Sequence, residues 1–134
     1  MENKLLLLRA CYWGGAILDG LAAIYMIFPN VFALVYNLPG FNPGVDYFYA
    51  MGMGASLMLG WTVLLLWADR KPIERRGILL ITFFPVIIGL IINSIMAILL
   101  HFIPFPNMLP ILILQIITGI VFLLVYQFTE DLKT

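Results

Sequence analysis

Four apolar stretches, each close to the roughly 20 residues that a helix needs to cross a bilayer, occupy most of this 134-residue chain. They cover 5–28, 47–68, 78–100 and 110–128. Inside hydrocarbon a backbone can satisfy its polar groups only as a helix or a closed barrel, and apolar runs without alternation select the helix. Composition agrees, because 63% hydrophobic and 10% charged residues do not describe a water-soluble domain of this length. The expected fold class is all-α: an integral membrane four-helix bundle forming one transmembrane domain over 1–134. The connections are too short for an extramembrane domain.

The basic residues orient the bundle. Lys4 and Arg9, then Arg70, Lys71, Arg75 and Arg76, then Lys133 all fall on one side of four spans, while connections 29–46 and 101–109 carry no Lys or Arg. The positive-inside rule makes that side cytoplasmic. Both termini and the Arg70–Arg76 loop are therefore expected in the cytoplasm of a multi-pass protein of the cell inner (plasma) membrane. The first run reads as a retained helix rather than a cleaved signal, since it is long, contains Asp19, and Pro29 is not followed by a small-residue cleavage pattern. Trp67 and Tyr126 suit the inner aromatic belt, Tyr47 and Tyr49 the outer one. Segment 68–77, with four positive and two negative charges, reads as a solvated turn that touches anionic lipid.

Turn signals at Pro29-Asn30, Asn37-Leu38-Pro39-Gly40 and Asn42-Pro43-Gly44 enclose the apolar stretch 31–36, too short to span. It is expected as a short helix on or dipping into the outer interface. Asp46 is placed to cap the next helix, and His101 to anchor the other outer connection.

Asp19 is the one acidic residue well inside an apolar run. A carboxylate there costs at least a few kcal/mol, and intramembrane acids mark functional sites. No basic residue shares its depth, so the protonated form is favoured unless a ligand or second protomer brings a cation. Depth then gives Asp19 company. At about 1.5 Å per residue, Asp19, Ser56, Asn93 and Gln115 all lie roughly 18 to 22 Å from the inner edge, with Thr118 about one turn further in.

Spacing suggests which way this layer points. Gly15 and Ala23 flank Asp19, Gly52 and Gly60 flank Ser56, Gly89 and Ala97 flank Asn93, and Gly119 follows Gln115, all four residues away and so on one helix face. Small-residue ridges are typical of helix contacts in membranes. Asp19, Ser56, Asn93 and Gln115 are thus expected to face inward together, with Tyr12 and Met26 about two turns either side of Asp19. Asn, Gln and Ser could alternatively serve only to tie helices together. Pro85 removes a backbone donor, frees the Ile81 carbonyl and should bend the third span, Thr82 meeting part of the loss. Trp61 is deep enough to line a cavity.

No triad, haem-ligand pair, phosphate loop or Cys-x-x-Cys occurs, so nothing in the chain makes an autonomous catalytic centre. The single cysteine, Cys11, reads as a small packing residue and gives no metal-binding set.

A Gly-rich first helix ending at Phe28-Pro29, a second helix reading Tyr49-Ala-Met-Gly-Met-Gly-Ala-Ser-Leu-Met-Leu-Gly-Trp61, and a basic Pro-containing connection to the third resemble small four-helix bacterial and archaeal membrane proteins of the DoxX-like kind. The resemblance covers most of the chain by layout. It implies a small membrane partner in quinone-linked or redox systems, and carries no assignment to Asp19 or Asn93. The residues and the resemblance together lead to a membrane protein whose buried polar layer, made by Asp19, Asn93, Gln115, Ser56, Tyr12 and Thr118, binds a small apolar or neutral ligand such as a lipid or quinone. The alternative is a proton-coupled small-molecule transporter that uses Asp19. A third reading is a structural or assembly subunit working in a homo-oligomer or membrane complex. The bilayer is a partner in all three, and nucleic acid in none.

Overall fold

Phe28-Pro29 decides where the first helix stops. The residue before a proline is pushed out of the helical region, and Phe28 accordingly adopts extended angles (φ −108°, ψ 101°). In the computed structural model, which describes residues 1–132, α1 therefore runs Glu2–Ile27 and Pro29 opens a short second helix, α2, at Pro29–Val35. Lys133, one of the basic residues counted above, lies outside the described residues. The short helix expected over the apolar stretch 31–36 is thus present, ending at Val35. Asn37 then reverses the chain in the left-handed region (φ 48°), where Asn is tolerated, and the Leu38 amide donates to the Ala33 carbonyl at 2.8 Å.

Helix α3 covers Val45–Ala68. Gly44 is its N-cap and no side chain caps it, so the capping role expected of Asp46 does not hold. Asp46 sits two residues too late, exposed in the first turn, where it can still meet the positive end of the helix dipole.

Pro85 divides the third span further than a simple bend. Helix α4, Gly77–Ile81, passes into a wide π-type turn at Thr82–Ile87, in which Phe84 is extended (φ −127°, ψ 110°), before α5 resumes at Ile88–Leu99. Thr82 donates to the Ile78 carbonyl at 2.7 Å rather than serving the Ile81 carbonyl that Pro85 frees. Helix α6, Phe105–Phe128, starts five residues before the apolar run suggested, because Pro106 falls in the first turn, where a missing N–H is no loss. Pro110 is then inside the helix.

Each of the stretches Glu2–Ile27, Val45–Ala68, Gly77–Leu99 and Phe105–Phe128 is long and apolar enough to cross a membrane. All regular structure among the described residues is helical. Large apolar side chains such as Leu21, Leu57, Val63, Ile117 and Leu124 point outward, a surface compatible with a multi-pass membrane protein.

Helix α1 is the hinge of the packing. It contacts α3 extensively on one side and α6 on the other, while α6 carries α4, the wide turn and α5. Leu8, Tyr12, Leu65, Leu79 and Phe122 form the core where these elements meet. Gly15 is buried there, so close to Leu65 and Phe122 that an added Cβ would stand 2.9 Å from each.

The two ends of the molecule differ in chemistry. At one end Lys4 pairs with Asp131 at 2.6 Å, Arg9 with Asp69 at 2.9 Å, and Arg76 donates to the Thr129 carbonyl at 2.6 Å, which gathers both chain ends and the basic loop. At the other, Tyr25, Phe32, Tyr36, Phe41 and Tyr47 pack ring on ring, centroids 4.6 to 6.1 Å apart. Arg76 is only 8% exposed, and its guanidinium also lies 4.9 Å from the Tyr126 ring centre. It neutralises the carbonyl end of α6. Arg76→Gln should lower stability by about 2 kcal/mol in a reversible unfolding titration. Arg70→Gln, exposed on the same loop, should stay within about 0.5 kcal/mol of wild type.

Candidate functional site

Two backbone facts create a cavity beside Asp19. Gly15 and Ala22 leave little bulk on the α1 face that carries Asp19, and the wide turn carries Val86 and Ile87 past it. The result is a cavity of about 110 Å³ between α1, the wide turn, α5 and α6, lined by Asp19, Tyr25, Thr82, Gln115 and Thr118 among apolar neighbours. Leu114, 42% exposed on the outer surface, is also part of its wall, so the cavity borders the apolar exterior.

The polar groups divide into satisfied and unsatisfied ones. Thr118 donates to its own helix at the Leu114 carbonyl, 2.8 Å away. Thr82, besides donating to Ile78, accepts from Trp61 Nε1 at 3.1 Å. Gln115 Oε1 accepts from the Ser94 hydroxyl at 3.0 Å, which fixes the amide and leaves its nitrogen without a protein partner among the described residues. Asp19 Oδ2 is shut off from solvent and has no hydrogen-bond partner. No ion pair involves Asp19 among the described residues. A carboxylate oxygen and an amide NH₂ are therefore the two unanswered groups of one cavity, an acceptor and a donor pair.

The inward layer expected from depth and spacing is realised in part. Asp19, Gln115 and Thr118 line the cavity. Ser56 and Asn93 do not: both are exposed on the outer surface, with Gly52, Gly60 and Gly89 exposed beside them. For Ser56 the reason is topological. Helix α3 packs chiefly on α1 and presents Ala55, Leu65 and Ala68 inward, so its glycine ridge has no helix to meet.

For Asn93 the reason is the wide turn. A π-type turn inserts a residue and rotates everything beyond it by about one helical position. Leu79 is buried before the turn, Thr82 and Ile87 at its two ends and Ser94 after it, so the inward polar position expected at 93 falls at 94. The signal for Ser94 was present in the spacing of Ile87, Ile91, Ser94 and Ile98, which forms one helix face. Ser94→Ala should cost about 0.6 kcal/mol in unfolding measurements, a typical value for one hydrogen bond between membrane helices, and should loosen Gln115.

Tyr12 and Met26 also lie elsewhere. The Tyr12 hydroxyl, fully buried, donates to the Pro72 carbonyl at 3.1 Å and so ties the basic loop to α1. Met26 packs against Gly54 on α3. Trp61 is not a wall of the cavity but holds Thr82, which is. Cys11 is buried in the core.

The fold and site thus describe a class: a helical chain compatible with four membrane crossings, holding one half-satisfied polar cavity. No protein-family model, no curated protein and no solved structure matches the chain.

Proposed function

We propose that this chain is a multi-pass protein of the cell inner membrane, with both termini and the basic loop cytoplasmic, that binds the polar end of a small and otherwise apolar or neutral ligand against Asp19. The observation that carries the reading is the Asp19 carboxylate, which has no partner in a cavity that the Gln115 amide also lines. A neutral head group carrying both a donor and an acceptor would answer both groups, the donor meeting the acid and the acceptor meeting the amide. The size of the cavity narrows the class. A cavity of about 150 Å³ just holds benzene. A volume near 110 Å³ suits a head group alone, its chain leaving past Leu114 toward lipid. A hydroxylated lipid or quinone-like molecule has that shape, and a place beside a membrane redox partner would accord with the DoxX-like resemblance.

Native mass spectrometry of gently solubilised protein tests this. A lipid-sized adduct should accompany wild type and disappear in Asp19→Leu and Gln115→Leu, while Ser56→Ala and Asn93→Leu, on the outer surface, keep it. An adduct that survives both cavity substitutions would refute the site.

A second observation favours proton-coupled transport. Tyr25 lines the cavity with Asp19, and its ring meets that of Tyr36 edge to face at the aromatic end, centres 5.9 Å apart. Phenols in series can relay a proton toward Asp19. On this reading, flux in proteoliposomes should follow an imposed pH gradient and vanish in Asp19→Asn. Flux indifferent to the gradient would remove it.

A further inference from the structure

The four cations of loop 69–76 are not equivalent. Arg75 donates to the Trp67 carbonyl at the end of α3 and stacks on the Trp67 ring, 3.3 Å from its centre, and Arg76 serves the end of α6 in the same way. Those two hold the loop in place, together with the Tyr12 bond to Pro72. Arg70 and Lys71 instead turn to a groove of about 520 Å³ between the loop and the start of α1, where Arg9 joins them.

The acids in this groove are already occupied. Arg9 donates through Nε and Nη2 to both Asp69 oxygens, at 2.9 and 3.1 Å, and Trp13 Nε1 adds a third bond at 3.1 Å. The Arg9 hydrogen bond first, and the Trp13 bond and Arg9 charge after it, hold the Asp69 carboxyl below the usual carboxylate range. Asp69 therefore stays ionised and saturated. Lys71 and Glu74 pair at 2.9 Å, but both side chains are more than half exposed, and such a pair is weak and exchangeable. Arg70 has no hydrogen bond or ion pair among the described residues, and Arg9 keeps Nη1 free. Leu5 and Ile73 supply an apolar wall.

We infer that this groove seats the phosphate of an anionic phospholipid, between Arg70 and Arg9 with Lys71 in support, its acyl chain running along Leu5. Guanidinium groups suit phosphate oxygens, and basic pockets at the cytoplasmic ends of membrane helices recognise anionic head groups. The apolar wall, lying where α1 begins and α3 ends, selects a lipid over a free anion. Trp13, half exposed beside Asp69, adds an aromatic of the kind found at membrane interfaces.

The test places the full chain in nanodiscs of equimolar phosphatidylcholine and phosphatidylglycerol and counts the lipids retained in native mass spectrometry. Wild type should retain phosphatidylglycerol preferentially. Arg70→Gln with Lys71→Gln should lower that preference about tenfold, since each cation near the surface contributes comparably to anionic-lipid attraction. Lys4→Gln removes a cation paired with Asp131 on the same end and should leave the preference unchanged. An equal loss in Lys4→Gln would mean diffuse surface attraction and overturn the site. Displacement of the lipid by millimolar inorganic phosphate would overturn its assignment to a lipid.

Discussion

Asp19→Leu is expected to yield a protein more stable than wild type by about 2 kcal/mol, the scale of removing an acid from the middle of a helix apolar enough to cross a membrane. The physical argument is that Asp19 makes no hydrogen bond or ion pair among the described residues, while Oδ2 is closed to solvent. Leucine would remove that unanswered group and extend apolar atoms into the cavity. Reversible unfolding in mixed detergent micelles measures the difference. The same variant should lose the bound adduct, so stability and binding should move in opposite directions, as they do where a site is kept at the expense of the fold. A loss of stability would instead identify Asp19 as a structural contact and sink the functional reading.

The second large effect is at Gly15. Isoleucine there must push aside both Leu65 and Phe122, since even its Cβ would come within 2.9 Å of each. Overpacking of this kind costs about 3 kcal/mol and should separate α1 from α3 and α6 together. Gly14, its neighbour, has nothing within 4 Å of an added Cβ. Gly14→Ile should therefore change stability by no more than about 0.5 kcal/mol in the same titration. Similar effects in the two variants would show that Gly15 is not the close approach described.

These two residues mark how far the sequence could be read. Asp19 and Gly15 share a helix face by spacing alone, and the small residue does lie at a helix contact. The same rule applied to Ser56 pointed inward and was wrong, because a ridge of Gly52, Ser56 and Gly60 looks identical whether or not a partner helix lies across it. Asn93 failed for a local reason. Pro85 announced a disturbance, but only the structure shows that it takes the form of a wide turn, which moves the inward position to Ser94. Arg70 and Arg76, two cations of one loop, are likewise indistinguishable by type, although one is exposed and the other is buried against Thr129.

By itself, the sequence determined the quantities that depend on length and composition: four apolar helices, the short helix after Phe28-Pro29, and the lone acid at depth. Those follow from hydrogen-bond satisfaction and local sterics, which act within one segment. Only the tertiary structure decided which helices touch, that α1 lies between α3 and α6, and that Gln115 rather than Asn93 lines the cavity with Asp19. Rotation of a helix about its own axis changes no local energy. It is set by the neighbours that a helix meets, and those lie far away in sequence.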